Sequence, residues 1–313
     1  MKRTFVLACF ALASAFLVSC SPQAPSPEPG TEVVLGLEGT IRGRLDALDA
    51  NTALFAKHLP SGREIAIRAD EPVNTLSIIK IPIMILAFRD AAGGMLDLDE
   101  RYEVTPDDMR RGSGLLQTFA PGVRPTYRSI ITQMIITSDN TATDIMIRRL
   151  GQDRVNELLG ELGYAETRLQ ATTGDLFRRI WEMADPANAS LTDREVFEMG
   201  FPSDEGAAER TFAFEGNPDE WFGRSSAREM SLLLEQIQNA EVASRADSDE
   251  MLEILRQQLY SSRLPQRIQF RAGIGHKTGD WPPVAGNDAG IIYSENGPIV
   301  VSVFATQNRD DNR

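Results

Sequence analysis

The chain has 313 residues, with 32 Lys or Arg, 45 Asp or Glu, and two each of His and Cys. Its net charge of −13 argues against a nucleic-acid-binding face and against a basic surface for anionic membranes. A zinc hydrolase is disfavoured, because a catalytic zinc needs several ligands and the two His residues, His58 and His276, are isolated. A Ser-His-Asp hydrolase is disfavoured, because the chain has no G-x-S-x-G sequence.

The first 19 residues are predicted to be a targeting signal. Two basic residues begin it, and the apolar stretch from Phe5 to Val18 is too short to span a bilayer comfortably. The sequence Leu-Val-Ser-Cys that ends at Cys20 resembles the cleavage box of bacterial lipoproteins, which predicts a lipid on Cys20. An ordinary secretory signal followed by a chance Cys is the alternative. Because Cys9 leaves with the signal, no intramolecular disulfide can form.

Residues 20–39 are predicted to be a flexible tether, because the stretch from Ser21 to Pro29 is rich in Pro and Ser. Loss of the signal leaves 294 residues and a net charge of −15, since the signal carries two basic and no acidic residues. This length allows one large domain or two interwoven lobes, and we place the folded domain at residues 40–313.

The order of predicted elements indicates an α+β fold. Two strands come first, at residues 52–57 and 64–68, with Pro60-Ser61-Gly62 as the turn. Helices follow at 77–91, 127–137, 141–150, 152–162, 226–240 and 247–260. The last strands are predicted at 270–278, 288–294 and 298–306, and Glu295-Asn296-Gly297 is typical of a hairpin turn. Strands at both chain ends therefore predict one antiparallel sheet.

Ser77 and Lys80 are the most informative pair of residues. They lie three apart at the start of the apolar run from Ile81 to Phe88, so both side chains share one face of a predicted core helix. Ser is a poor nucleophile unless a neighbour takes its proton, and a Lys in a dry environment can become that base. The S-x-x-K spacing alone is weak, because a helix N-cap followed by a surface Lys produces it too.

Two further motifs favour the catalytic interpretation. Ser138-Asp139-Asn140 follows a predicted apolar helix, and Lys277-Thr278-Gly279 precedes two predicted strands. In this order, S-x-x-K, S-D-N and K-T-G are the signature of class A β-lactamases and penicillin-binding proteins. The chain resembles a class A β-lactamase from about Thr40 to Asn308. The resemblance implies an antiparallel sheet flanked by helices, an all-helical lobe, and a site between them.

The resemblance also implies roles for the motif residues. Ser77 is the nucleophile that becomes acylated, Lys80 takes its proton, and Ser138 relays a proton to the leaving nitrogen. Asn140 orients the amide of the substrate or braces its own loop. Lys277, Thr278 and Arg263 would bind the substrate carboxylate. Gly279 would allow the strand to approach the substrate closely. The backbone N–H groups of Ser77 and Asp280 would bind the oxyanion. For Arg263, an ordinary surface position is the alternative.

The resemblance fails at the deacylation step. Class A enzymes carry a catalytic Glu shortly after a T-R-L sequence, but here Thr173 stands at the position where Thr167-Arg168-Leu169 predicts that Glu. Asp144 stands where relatives usually have an Asn, and an Asp beside an ionised Glu would be repulsive. The stretch from Gln170 to Gly223 is also far longer than the usual loop. These departures suggest a rebuilt deacylation site or none. The candidate bases are Glu182 and Asp175 within this stretch and Asp144 outside it.

The sequence predicts a β-lactamase that works through an acyl-enzyme on Ser77. The alternatives are a DD-peptidase-like penicillin-binding protein, another amide or ester hydrolase with slow deacylation, and a non-catalytic lipoprotein that binds cell-wall peptides. We expect a β-lactam or a cell-wall peptide as substrate, and neither a cofactor nor a metal. We also expect a monomer on the periplasmic side of a bacterial envelope, held at the membrane by its lipid anchor alone.

Overall fold

The computed structural model describes residues 29–268 and 273–309. The predicted signal, Cys20 and the start of the strand predicted at 270–278 lie outside the described residues. Helix α1 spans Pro29–Asp46, so the predicted tether at residues 20–39 is helical in its second half. Pro29 suits the first turn of a helix, and no other Pro follows before Asp46 to interrupt it.

One antiparallel sheet is built from both ends of the chain, which confirms the predicted α+β class. It has five strands in the order β2-β1-β8-β7-β6. Their bounds are β1 Asn51–His58, β2 Arg63–Ile67, β6 Ile274–Trp281, β7 Ala285–Ser294 and β8 Gly297–Thr306. A second sheet of three short strands, in the order β3-β5-β4, consists of β3 Val73–Asn74, β4 Arg168–Leu169 and β5 Gly223–Ser225.

The remaining helices form two groups. Those after α1 are α2 Lys80–Ala92, α3 Tyr127–Ile136, α4 Asn140–Leu150, α5 Gln152–Glu161, α6 Thr173–Ala184, α7 Asp193–Met199, α8 Ala207–Glu215, α9 Ala227–Gln238 and α10 Arg245–Arg256. Helices α9 and α10 pack on the sheet, and α2 contacts α3, α4 and α5. Among the described residues, no helix has the length and hydropathy needed to cross a bilayer.

Helix α2 is the central core element. All residues from Ile81 to Phe88 are buried, because the run is apolar on every face and is surrounded by other helices. The helix was predicted to begin at Ser77, whereas the structure has a short 3-10 turn, Leu76–Ile79, before the α-helical part. Gly93 and Gly94 follow its end, as the sequence predicted.

The long segment after Leu169 folds into three α-helices, α6, α7 and α8, which were not predicted from the sequence. Two of them carry a local start signal. Thr172 and Asp175 form a capping box at α6, and Thr192 and Glu195 form one at α7. The signal could have been recognised as T-x-x-D and T-x-x-E in the sequence, but the apolar periodicity that follows each is short.

Candidate active site

Ser77 lies in the tight turn before α2. The turn is strained, because Leu76 has a φ of +47°, which is unusual for a bulky residue. The backbone N–H of Leu76 donates to Asn74 Oδ1 at 3.1 Å, and Asn74 Nδ2 donates to Glu215 Oε1 at 3.4 Å. Asn74 and Glu215 are buried. Two buried polar side chains therefore support the turn that carries Ser77.

Lys80 is fully buried one helical turn after Ser77. Its Nζ lies within hydrogen-bonding distance of Ser138 O at 2.7 Å, Ser138 Oγ at 3.3 Å and Asn140 Oδ1 at 2.9 Å. Burial lowers the pKa of Lys80 well below its ordinary value, and the nearby charge of Lys277 lowers it further. The environment thus favours a neutral amine, which can accept a proton.

Ser138 lies between two lysines. Its Oγ is 3.3 Å from Lys80 Nζ and 2.9 Å from Lys277 Nζ. Ser138 has a φ of +55°, and its carbonyl oxygen accepts from Ser113 Oγ at 2.7 Å, which fixes the loop in this conformation. The hydroxyl is therefore placed to pass a proton between an amine on one side and a leaving group in the cavity.

Asn140 has both ends of its amide engaged. Its Oδ1 accepts from Lys80, and its Nδ2 donates to Arg111 O at 2.8 Å. At Gly112, which has a φ of +90°, an added Cβ would lie 2.7 Å from Asn140 Nδ2. The bracing role that the sequence left open is thus the one for which contacts exist, although Asn140 also lines the cavity.

The strand β6 brings Lys277, Thr278 and Gly279 beside the 3-10 turn. Lys277 is fully buried, and burial lowers its pKa to about 7, against the opposing effect of Asp280 and Asp288. A Cβ on Gly279 would lie 2.4 Å from the carbonyl oxygen of Thr75, so only Gly fits this approach. Thr278 Oγ1 is buried and has no hydrogen-bond partner among the described residues.

Arg263 and Asp280 form an ion pair at the cavity wall. Both side chains are partly exposed, at 29% and 33%. The backbone N–H of Leu264 donates to Asp288 Oδ2 at 3.1 Å, and Asp288 also contacts His276 Nδ1 at 2.9 Å, which anchors the segment carrying Arg263. The guanidinium therefore lies beside the cavity with a carboxylate already bound to it.

The motif residues surround one cavity of about 620 Å³. Ser77, Ser138 and Asn140 line one part of it, and Arg263 and Asp280 line another. The remaining wall is largely apolar, with Leu176, Phe177, Phe201, Phe222 and Trp281. Lys80, Lys277 and Thr278 lie behind this surface, in the buried layer.

Asp144 serves as an anchor for α6. Its Oδ1 accepts from the backbone N–H and from the Oγ1 of Thr173, both at 2.8 Å. Its Oδ2 accepts from the N–H of Gly174 at 2.8 Å and from Arg110 Nε at 2.7 Å. A carboxylate at the N-terminus of a helix is favourable, and both oxygens are occupied. The structure therefore gives Asp144 a structural task and leaves no free lone pair for a water.

The other two candidate bases also lie away from the cavity. Glu182 is exposed, nine residues after Thr173 along α6, which corresponds to roughly 13 Å along the helix axis. Asp175 is engaged in the capping box with Thr172 and in an ion pair with Arg178. Glu182 and Asp175 are not positioned for the role that the sequence suggested. Among the described residues, Asp280 supplies the single carboxylate of the cavity wall.

Several residues that support the site were not predicted from the sequence. Asp139 caps α4 by accepting from Ala142 N at 2.8 Å and from Leu116 N at 2.7 Å. Its position in S-D-N before a predicted helix is a recognisable N-cap signal. Nothing local in the sequence marks Glu215 or Arg110, because their partners are far away in the chain. Among the described residues, no cluster of His, Cys, Asp and Glu is arranged to hold a metal ion.

Residues 37–313 match the model of the beta-lactamase enzyme family. The chain belongs to this family. Among curated β-lactamases, VEB-1 of Pseudomonas aeruginosa is 21% identical over 245 residues, covering 75% of this chain and 70% of that protein. A β-lactamase of Streptomyces albus G is 30% identical over 167 residues, covering 51% of this chain and 53% of its own length.

Solved structures show that the fold of this β-lactamase-family protein is shared. A β-lactamase from Sphaerobacter thermophilus has a TM-score of 0.69 at 23% identity, covering 90% of each chain. PBP-A has a TM-score of 0.68 at 23% identity, covering 88% of this chain and 89% of its own. A mutant of PBP-A, in an acyl-enzyme complex with penicillin G, has a TM-score of 0.67 at 24% identity and covers 92% of both chains.

Proposed function

We propose that this β-lactamase-family protein is a serine hydrolase that opens β-lactam rings through an acyl-enzyme on Ser77. The observation that carries the proposal is the position of Ser138 Oγ, 3.3 Å from Lys80 Nζ and 2.9 Å from Lys277 Nζ, at the wall of the cavity that Ser77 also lines. These contacts connect a base, a proton relay and a cationic group at a cavity that the proposed nucleophile also lines.

These contacts support the following acylation steps. Neutral Lys80 takes the proton of Ser77 while Ser77 Oγ attacks the lactam carbonyl carbon. The ring C–N bond then breaks as Ser138 gives its proton to the nitrogen, and Ser138 recovers a proton from Lys80. Lys80 ends as a neutral amine, and an ester on Ser77 remains. The proposed oxyanion donors are the backbone N–H groups of Ser77 and Asp280, and loss of one such donor typically lowers transition-state stabilisation by roughly 2.7–4 kcal/mol.

We propose that the carboxylate of a bound β-lactam lies toward Arg263 in the cavity wall and toward Lys277 in the buried layer behind it. Lys277 lies behind the β6 wall, and Thr278 Oγ1, which has no hydrogen-bond partner in the part of the chain that the structure describes, is a further donor. Arg263 is a third candidate, because a substrate carboxylate could replace Asp280 as its partner. The substrate class we propose is therefore an anionic amide, either a β-lactam or a cell-wall peptide with a free carboxylate.

Deacylation is the step for which the cavity offers little. Asp144 has both oxygens occupied, and neither Glu182 nor Asp175 lines the cavity. This observation favours a second candidate function, a penicillin-binding protein in which the ester on Ser77 persists. The two candidates share the acylation chemistry and differ only in the lifetime of the acyl-enzyme.

A rapid-mixing experiment with a chromogenic β-lactam tests the proposal. We expect a burst of about one equivalent, followed by steady turnover at a rate at least about tenfold below that of the burst. The reason is that none of the three candidate bases lines the cavity, and a general base normally speeds such a step by at least this factor. Glu182→Gln is expected to leave both phases unchanged within about twofold, since Glu182 is exposed far from Ser77.

Three other outcomes of this experiment are informative. Absence of both burst and turnover would refute the serine-hydrolase proposal. A burst with no turnover would favour the penicillin-binding alternative. Loss of the slow phase in Glu182→Gln, with the burst intact, would return Glu182 to the role of base.

We also propose that Cys20 carries lipid and holds the domain at the periplasmic face of a bacterial membrane. The support is the Leu-Val-Ser-Cys sequence and the Pro- and Ser-rich stretch that follows it. Cys20→Ser is expected to move the protein from the membrane fraction to the soluble envelope fraction, because the variant cannot carry the acyl chains that would anchor it. Immunoblots of the two fractions measure this, and unchanged fractionation would contradict the lipoprotein prediction.

A further inference from the structure

The turn before Ser77 depends on the backbone conformation of Leu76, which has a φ of +47°. The peptide unit that joins Leu76 to Ser77 carries the N–H of Ser77, one of the two proposed oxyanion donors. A rotation about the backbone of Leu76 would point this N–H in another direction. The groups that hold Leu76 in its left-handed conformation therefore also hold the proposed oxyanion donor in place.

Asn74 is the residue that holds Leu76. Its Oδ1 accepts from the backbone N–H of Leu76 at 3.1 Å, and its carbonyl oxygen accepts from Nδ2 of Asn287, on β7, at 2.9 Å. A side-chain amide has an acceptor oxygen on one side and an NH₂ donor on the other, so only Oδ1 can bind the N–H of Leu76. The orientation of the Asn74 amide thus decides whether the turn keeps this hydrogen bond.

Glu215 selects this orientation. Its Oε1 accepts from Asn74 Nδ2 at 3.4 Å. An ionised carboxylate offers acceptors only, so it favours the amide orientation in which Nδ2 faces Glu215 and Oδ1 faces Leu76. The reversed amide would place an oxygen against the carboxylate and an NH₂ group against the N–H of Leu76. Both contacts would then be repulsive, in a region where unpaired polar groups are costly because it is buried.

Glu215 is itself fixed by the end of the chain. It is the last residue of α8 and is 1% exposed. Its Oε2 accepts from the backbone N–H of Gln307 at 3.0 Å and from Gln307 Nε2 at 2.7 Å, and its carbonyl oxygen accepts from Trp221 Nε1 at 2.6 Å. Burial raises the pKa of Glu215, whereas the hydrogen bonds from Gln307 and Asn74 lower it, because N–H donors favour the ionised form. N–H donors therefore face both carboxylate oxygens.

Glu215 acts from outside the cavity that Ser77 lines. It lines a separate cavity of about 490 Å³, together with Val73 and Gln307. In the described part of the chain, the residues around the cavity beside Ser77 do not include Glu215. Any influence of its carboxylate on the reaction must therefore pass through Asn74 and the turn.

We propose that Glu215 is a positioning residue for acylation, which orients the amide of Asn74 and through it the backbone N–H of Ser77. The inference rests on the proposed acylation of Ser77. It gives helix α8, in the long segment after Leu169, a part in the reaction although Glu215 meets no substrate. Misplacement of an aligned group by about 1 Å can lower a rate about 100-fold, so the effect is measurable.

A reciprocal exchange of the two side-chain types tests this role. In Glu215→Gln, Gln307 keeps the remaining oxygen occupied, so the new NH₂ group faces the NH₂ group of Asn74. In Asn74→Asp, the new carboxylate faces that of Glu215. We expect each single variant to lower the second-order rate constant of acylation by benzylpenicillin at least about tenfold.

The double variant Asn74→Asp with Glu215→Gln restores complementary contacts with the polarity reversed. The introduced carboxylate accepts both from the N–H of Leu76 and from the introduced amide, whose oxygen accepts from Gln307. We expect its rate constant to return to within about threefold of that of the unmodified protein, because the two changes are coupled rather than additive. Glu209→Gln, at an exposed position in the first turn of the same helix, is the matched control and should leave the rate constant unchanged.

Mass spectrometry of the intact protein over time gives each rate constant, and thermal unfolding of each variant gives the folded fraction by which it is corrected. A purely structural role of Glu215 would lower the unfolding temperature and leave the corrected rate constant unchanged, and this result would overturn the inference. A double variant as slow as the single variants would overturn it too. If a single variant does not fold, the rate of the double variant decides in the same way.

These outcomes are distinct from failure of the proposed function. An unchanged rate constant in Glu215→Gln would remove the positioning role while acylation of Ser77 stands. If the unmodified protein forms no adduct with benzylpenicillin, the proposed function fails and the positioning role fails with it.

Discussion

Replacement of Ser77 by Ala is expected to abolish the covalent adduct that a penicillin forms with this protein. The Ser77 hydroxyl is the only nucleophile that we assign in the cavity. Without it, the proton transfers proposed for Lys80 and Ser138 have no group that can accept the acyl chain. Loss of a catalytic serine in such units typically lowers the rate by at least about 10³-fold, and their effects are not additive. The measurement is the mass of the intact protein after incubation, followed by mapping of the adduct to the peptide that contains Ser77.

Ser262→Ala is the matched control for this experiment. Ser262 also lines the cavity and is exposed, but it belongs to the segment before Arg263 and has no role in the proposed reaction. The control variant should keep the adduct on Ser77 at an unchanged rate. An adduct on another residue, or undiminished turnover in Ser77→Ala, would show that the nucleophile has been misassigned.

The two buried lysines are expected to respond differently to substitution by Arg. Lys80→Arg should lower the acylation rate at least about 100-fold, because Arg cannot release a proton at working pH and general-base assistance is worth this much or more. The burial that favours a neutral Lys80 would also penalise an obligatory charge there. Lys277→Arg should retain more activity, since its proposed task is a fixed positive charge.

The pH dependence distinguishes the roles further. Burial lowers the pKa of Lys277 to about 7, so this side chain is charged below that pH and becomes neutral as the pH rises through it. If the charge holds the substrate carboxylate, the acylation rate should fall on the alkaline side of about pH 7. Lys277→Arg keeps its charge and should move this fall to higher pH.

Second-order acylation rates across the pH range, measured for the unmodified protein and both variants, test this pair of roles. Lys80→Met, which is uncharged and similar in length, separates loss of the base from the burial of an Arg charge, and it should be as slow as Lys80→Arg. If Lys277→Arg acylates more slowly than Lys80→Arg, or if its alkaline limb does not move, the roles assigned to the two lysines are wrong.

The sequence identified the family and the architecture because both depend on local patterns. The apolar run from Ile81 to Phe88 predicts a buried element, and the predicted span of 77–91, which ends at Gly93-Gly94, is longer than a typical buried strand. Alternating strands at both chain ends, and the hairpin turn at Glu295-Asn296-Gly297, predict a sheet closed by the two termini, as observed. Three short motifs, far apart in the chain, were enough to suggest one reaction class.

The long segment from Gln170 to Gly223 shows the limit of such patterns. Its helices α6, α7 and α8 have 12, 7 and 9 residues, which gives a short periodic pattern, and α6 is held by contacts with α4, α7 and α8. The expected base, Glu182, was chosen for its neighbour Trp181, but that indole donates to Gly200 O and fixes a turn. A pair of adjacent residues says nothing about which side of a helix faces the cavity.

Sequence alone therefore determined which residues carry the chemistry that we propose and roughly which element each lies on. Tertiary structure decided what surrounds them. The lowered pKa of Lys80 and Lys277 comes from burial between elements distant in sequence, and Asp144 is engaged by Thr173 and Arg110 from two other segments. Burial, charge pairing and the shape of the apolar wall all depend on contacts between segments that are distant in sequence. Local sequence patterns do not specify these contacts.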